Sequence, residues 1–215
     1  MTESEIKLLE KSLKNCANYL EFGSGESTKL AVKFLNIKRI DSIESDKNFI
    51  EKNLLIDANI VQALDSNRLR IHFIDIGPTK KWGQPVDASM KHLWPNYSTS
   101  IFNKNKDYDL VLIDGRFRIS CVLNTILNIN NIKILIHDFW NRPRYHIVLQ
   151  FLNEIERADT LGLFKKKEYI DKLKIKSLIE KYQYLPRDET PFQRRIRRFL
   201  KQHYSIPNFS KKGTE

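Results

Sequence analysis

The chain has 215 residues, 41% of them hydrophobic and 11% aromatic, which suits one domain with a sizeable core and excludes a largely disordered chain. The net charge is +11, but residues 165–215 carry 15 basic and 6 acidic groups, which leaves the first 164 residues at +2. The longest apolar runs, around Leu110–Ile113 and Ile132–Ile136, fall far short of the ~20 residues that span a bilayer. The N-terminal region shows no secretory pattern, and Cys16 and Cys121 make neither a disulfide framework nor a metal-ligand spacing. These features predict a cytoplasmic protein with reduced core thiols.

Residues 3–15 read as an amphipathic helix, with Ile6, Leu9 and Leu13 at helical spacing. Asn18–Phe22 is a short strand that stops at Gly23-Ser24-Gly25. Ser27 or Thr28 is placed to cap the next helix, which carries Leu30, Ala31, Phe34 and Leu35. Arg39–Glu44 is a second strand, and Asp46 a plausible N-cap for a helix running to about Ala63. Leu69–Ile76 is a third strand, ended by Gly77-Pro78, and residues 77–100 form a long loop with room for one helix. Tyr108–Ile113 is a fourth strand, 117–129 a helix, and Ile132–Ile136 a fifth strand ending at His137-Asp138. Pro143 stands where a helix over 144–156 begins. Leu161–Phe164 is a further strand, 170–182 a helix, and 186–215 an appended tail.

This alternation predicts a Rossmann-like three-layer α/β sandwich, a mostly parallel sheet of six to seven strands with helices on both faces. Residues 1–164 form the main domain, and 165–215 a basic helical extension. In such a sheet, ligands bind beyond the carboxyl ends of the strands. The residues there are Glu21 with Gly23, Ser24, Gly25 and Ser27, then Glu44, Asp75, Asp114, and His137 with Asp138. Two glycines between a strand and a helix let the backbone pass close to a ligand. Glu44, some twenty residues on, can accept both hydroxyls of a ribose. A dinucleotide would need a third glycine where Thr28 stands, and Glu21 beside the loop repels a pyrophosphate. The same carboxylate attracts the ammonium group of S-adenosylmethionine, so the electrostatics favour that cofactor.

Tyr19-Leu20-Glu21-Phe22-Gly23-Ser24-Gly25 resembles the first motif of the class I S-adenosylmethionine-dependent methyltransferases. Glu44 falls where that family places its ribose-binding acid, and Asp75 where a polar residue lies near the adenine. Leu112-Ile113-Asp114-Gly115 and Ile136-His137-Asp138 resemble strand ends of a small-molecule and glycan-associated subgroup, although Arg116-Phe117-Arg118 stands where that subgroup often has a His. The resemblance covers about residues 15–157 and implies methyl transfer from S-adenosylmethionine to a small molecule or glycan. It makes Asp114, His137 and Asp138 the candidates for holding or accepting the acceptor's proton, His137 by its unperturbed pKa near ~6.5. Their ligand types suit a divalent cation, but no spacing enforces one and no metal is assigned.

Arg116, Arg118, Arg142 and Arg144 cluster after strands four and five, where guanidinium forks would match an anionic acceptor. Trp140 and neighbouring aromatic residues lie over the same edge, either stacking on a sugar ring or forming a loop core. In Pro191–Tyr204, Phe192, Ile196, Phe199 and Leu200 make an apolar stripe among Arg194, Arg195, Arg197, Arg198 and Lys201. That pattern fits a helix on an anionic membrane or an acidic partner, or one packed on its own domain. The alternatives are an RNA methyltransferase that holds phosphates with this tail, and a non-catalytic module of the same fold. The Asn/Asp-Pro-Pro-Tyr/Phe signature of base amino-methylation is absent after strand four, which disfavours nucleic acid.

Overall fold

The computed structural model describes residues 1–203; Tyr204 of the expected basic stripe lies outside them, as do the side chains of Leu200 and Lys201. The first half contains α1 (Glu3–Leu13), β1 (Asn18–Phe22), α2 (Glu26–Ala31), β2 (Arg39–Glu44), α3 (Lys47–Phe49), α4 (Ala58–Asp65) and β3 (Leu69–Phe73). A small hairpin follows, β4 (Thr79–Lys80) with β5 (Gln84–Pro85), then α5 (Asn96–Thr99). The second half contains β6 (Leu110–Ile113), α6 (Arg118–Asn128), β7 (Lys133–Ile136), β8 (Leu152–Ala158), β9 (Leu161–Lys166), α7 (Lys172–Tyr182) and α8 (Pro191–His203).

Seven strands form one sheet in the order β3-β2-β1-β6-β7-β9-β8. The first five are parallel, and β9 runs antiparallel to both β7 and β8. Alternate residues of the apolar runs enter opposite faces, as strands buried on both sides require. Leu20, Phe22, Val111, Ile113, Ile134 and Ile136 join one core with Ile119, Val122 and Ile126 of α6. Tyr19, Leu110, Leu112 and Leu135 join the other with Leu8, Leu9 and Leu13 of α1 and Ala31 of α2. The helices change face at the β1–β6 junction, the switch point at which open α/β sheets form ligand crevices. The expected sandwich is therefore present, with seven strands.

Three local expectations are corrected. The helix expected from Asp46 to Ala63 breaks after a π turn at Ile50–Leu54, because Asp57 accepts hydrogen bonds from Asn59 N and Ile60 N and starts a new helix. The third strand ends at Phe73, before the turn in which Asp75 accepts from Gly77 N. The helix expected over 144–156 is a 3-10 segment, Pro143–Gln150, followed by β8. There β9 needs an antiparallel partner, and exposed Glu154 and Arg157, with half-buried Glu156, protect the resulting edge strand.

The region after residue 164 is built into the same core up to Glu189. Ile175 and Tyr182 of α7 are buried in the α6-side cluster. Asp188 is buried too, and accepts from Arg118 N at 3.2 Å and Ile119 N at 3.0 Å, donors of the first turn of α6 that have no partner within the helix. Burial raises the Asp188 carboxyl to about 6, against these backbone donors and the nearby Arg118 charge. An acid whose folded pKa exceeds its unfolded value of about 3.9 binds the proton more readily when folded. Relative to Asp188→Asn, the native chain should therefore lose about 2–3 kcal/mol of stability as pH rises from about 4 to about 6, then level off. Urea unfolding of both chains across this range measures it; a constant difference would show that Asp188 does not titrate within the fold.

Candidate functional site

The loop after β1 leaves the strand through Gly23, whose φ of +95° strains any residue with a side chain. A Cβ there would also lie 2.7 Å from the Cα of Gly115, so the loops after β1 and β6 touch at the switch point. Gly25, by contrast, has open space where a Cβ would stand. Glu21 does not face that space. It is fully buried, and its carboxylate accepts from Ser27 Oγ and Ser42 Oγ at 2.7 Å, Tyr19 Oη at 3.2 Å, and Thr28 Oγ1. Burial raises its pKa although these hydroxyls oppose the rise. Glu21 and Ser27 thus clamp the loop from behind, which corrects the expectation that Glu21 meets a ligand's ammonium group. The expected Ser27 or Thr28 cap is corrected as well: Gly25 is the N-cap, and Thr28 Oγ1 accepts from its N–H at 2.8 Å.

Glu44 closes the opposite side of the loop. Its Oε1 accepts from Ser45 N at 2.6 Å and Asp46 N at 2.9 Å, and its Oε2 from Ser24 N at 3.2 Å. Burial raises its pKa, and the three backbone donors limit the rise. Among the described hydrogen bonds Oε2 has only that one donor, so acceptor capacity remains for a ligand. Gly83, in the turn of the β4–β5 hairpin, lies beside Ser45 and Glu44. Asp75 is exposed, and its carboxylate is used in its own turn.

Beyond β6 and β7, Asp114, His137 and Asp138 come together as expected, but around a cation. Buried Arg118 donates to Asp114 Oδ1 and Asp114 O at 2.8 Å and to Gly115 O at 3.0 Å. It also donates to His137 O and lies 3.5 Å from Asp138 Oδ2. His137 Nδ1 meets Asp114 Oδ1 at 2.9 Å, and Nε2 lies 3.4 Å from Oε2 of buried Glu5. Burial opposes a charge on His137, but Asp114 and Asp138 outweigh it and raise the pKa. Both ring nitrogens thus already face carboxylates, and neither stands free toward an acceptor, which corrects the expectation that His137 is the base. Asp114 and Asp138 are both held below the usual carboxylate range, Asp114 chiefly by Arg118 and His137, Asp138 by Arg142 and Arg118, in each case against burial. The Asp114–His137–Asp138 group has a metal-compatible geometry, yet Arg118 already compensates its charge.

Arg118 therefore leaves the expected ligand-facing set, while Arg116, Arg142 and Arg144 line a cavity of about 330 Å³. Arg187, Arg197, Gln84, Glu189 and Tyr145 complete its wall. Buried Tyr145 has the guanidinium carbons of Arg144, Arg118 and Arg142 at 4.8, 5.7 and 5.9 Å from its ring centre. Trp140 is not in this wall. It packs on Phe139, His146 and Phe164, so the loop-core alternative describes it. Glu5, Gln84 and Arg187 were not identified from sequence, and Arg197 was read only as part of the basic C-terminal stripe. Glu5 had a signal, the Thr2-x-x-Glu5 capping box that fixes the start of α1.

No family model and no curated protein matches the chain. Among solved structures, a methyltransferase-like protein from Silicibacter pomeroyi aligns with a TM-score of 0.73 and 27% identity, over 85% of this chain and 95% of that one. A candidate caffeoyl-CoA O-methyltransferase from Staphylococcus aureus aligns with a TM-score of 0.50 and 14% identity, over 78% and 84%. An RNA methyltransferase from Salinibacter ruber, solved with S-adenosyl-L-homocysteine, aligns with a TM-score of 0.46 and 14% identity, over 78% and 90%.

The His137 network has a signed pH consequence. A histidine whose pKa is raised by folding stabilises fully below about 6.5, and that contribution fades as pH rises through the folded value. The stability advantage of the native chain over His137→Gln should therefore shrink between neutral and alkaline pH. Denaturant titrations at several pH values decide this, and an advantage that grows with pH would contradict the network.

Proposed function

We propose that this chain, whose fold is that of the class I methyltransferases, binds S-adenosylmethionine and methylates a small anionic molecule or glycan. The observation that carries the reading is the Gly23–Gly25 loop, backed by a hydroxyl-clamped Glu21 and flanked by Glu44. The residues fit such a ligand: Gly25 borders open space, and Glu44 Oε2 keeps acceptor capacity for ribose hydroxyls. When bound, S-adenosylmethionine supplies an activated methyl group, whose bond to sulfur breaks as a bond to the acceptor forms and the acceptor's proton is released.

The chain's own work is alignment and electrostatics. Glu44 orients the ribose. Asp114 stays a carboxylate, 30% exposed, and its Oδ2 has no partner among the described hydrogen bonds. That oxygen is the one available to a cationic group or a departing proton. Asp138, His137 and Arg118 position Asp114. Glu44→Ala should weaken binding of S-adenosylhomocysteine by about 1–3 kcal/mol while the protein stays folded. Calorimetry with a circular-dichroism control tests it, and unchanged affinity would remove Glu44 from the site.

We also propose that α8 rests on an anionic membrane surface. Phe192 and Ile196 are 72% and 44% exposed, which favours this reading over a helix buried on its own domain. No helix among the described residues is long and apolar enough to cross a membrane. Because Asp188 belongs to the core, point variants are the appropriate probe. Phe192→Ser with Ile196→Ser should cut sedimentation with phosphatidylserine vesicles several-fold at low salt and leave S-adenosylhomocysteine affinity unchanged. A native chain that ignores such vesicles would refute the membrane role.

A further inference from the structure

We infer that the arginine cavity binds the phosphate or diphosphate group of a small soluble acceptor, because three guanidinium groups without carboxylate partners converge on it. This inference rests on the methyl-transfer reading only for the word acceptor; the anion site itself stands on the cavity. Two of the five lining arginines are matched by acids: Arg142 lies 2.6 Å from Asp138, and Arg197 3.0 Å from Glu189. Arg116, Arg144 and Arg187 have no carboxylate within 4.0 Å among the described residues. Arg116 and Arg144 also leave a buried Nε without a hydrogen-bond partner. An oxyanion in the cavity would supply the counter-charge that these guanidinium groups lack.

The balance of charges indicates what kind of anion fits. Burial depresses Arg116 and Arg187, and the like charges of Arg118 on the first and Arg194 on the second add to it, while Asp188 and Glu189 respectively act the other way. One planar carboxylate can serve one fork well, whereas a phosphate offers oxygens in several directions and up to two charges. The three unmatched forks come from three segments: after β6, after β7 and after α7. A cavity of about 330 Å³ is many times the ~10–15 Å³ that one water requires, which is more than a lone oxyanion needs. It therefore accommodates a diphosphate, or a phosphate with part of the molecule attached.

The cavity adjoins the proposed cofactor edge at two points. Arg116 follows Gly115, which touches Gly23. Gln84 follows Gly83, which lies beside Ser45, and Gln84 Oε1 accepts from Arg187. An anion held there would anchor one end of an acceptor near the cofactor loop. The C-terminal segment thus completes the site through Arg187 and Arg197, a role distinct from that of the exposed α8 face.

Calorimetry on the full chain tests this with pyrophosphate, inorganic phosphate and citrate as probes, and with S-adenosylhomocysteine titrated separately. Pyrophosphate should bind at least tenfold more tightly than phosphate or citrate. Arg144→Gln with Arg187→Gln should weaken pyrophosphate tenfold or more and leave S-adenosylhomocysteine unchanged. If the double variant misfolds, Arg187→Gln alone should still weaken pyrophosphate several-fold. The site is refuted if pyrophosphate does not bind, if the variants bind it equally well, or if citrate binds as tightly. Tighter competition by a short RNA than by any small phosphate would refute the small-acceptor assignment. Pyrophosphate binding without S-adenosylhomocysteine binding would leave the anion site intact and overturn the methyl-transfer reading instead.

Discussion

One buried guanidinium, that of Arg118, holds the functional edge of the sheet together. It ties the carbonyls of Asp114, Gly115 and His137 and the carboxylates of Asp114 and Asp138, so the ends of β6 and β7 share one cation. The backbone N–H of the same residue is taken by Asp188, which draws the C-terminal segment into the arrangement. An ion buried this deeply loses several kcal/mol of hydration, and its neighbours repay that only in a fixed geometry. That requirement explains why the His137 ring is bracketed by Asp114 and Glu5 instead of standing ready as a base. It also keeps Asp114 ionised at the mouth of the crevice.

Around that cation the carboxyl edge divides into two chemically different halves. On the β1–β2 side, backbone N–H groups, hydroxyls and the acid Glu44 surround a glycine loop with open space. On the β6–β7 side, arginines outnumber their acidic partners around a cavity. Gly115 and the hairpin carrying Gly83 connect the halves. A donor with a cationic sulfur and an anionic acceptor would each meet complementary charge there.

The strand–helix alternation was legible because the central strands are buried on both faces and read as apolar runs, as Leu110–Ile113 shows. The loop glycines were legible because only backbone conformation and close approach demand them, as at Gly23. The chemistry of individual polar residues was less so. Whether Glu21 faces a ligand depends on four hydroxyls brought from Tyr19, Ser27, Thr28 and Ser42, one of them on another strand. Arg118 looked like its neighbours Arg116, Arg142 and Arg144, and only the packing of α6 against the strand ends turned it inward. β8 was hidden because an edge strand rich in Glu and Arg has the same composition as a solvated helix face. Arg187 carried no local signal, and Arg197 showed only as one of a basic stripe, since their place at the cavity is set by tertiary packing after α7.

The claim on which the functional account rests is that the Gly23–Gly25 loop and Glu44 receive an S-adenosyl ligand and not a dinucleotide. Thr28, which occupies the position of a third glycine, donates to Glu21 and leaves no small-residue gap for a pyrophosphate. A competition measurement tests this directly, with labelled S-adenosylhomocysteine on the full chain challenged by unlabelled S-adenosylmethionine and by NAD. The account predicts saturable binding displaced by S-adenosylmethionine and untouched by NAD. Saturable binding of NAD, with none of S-adenosylhomocysteine, would contradict it.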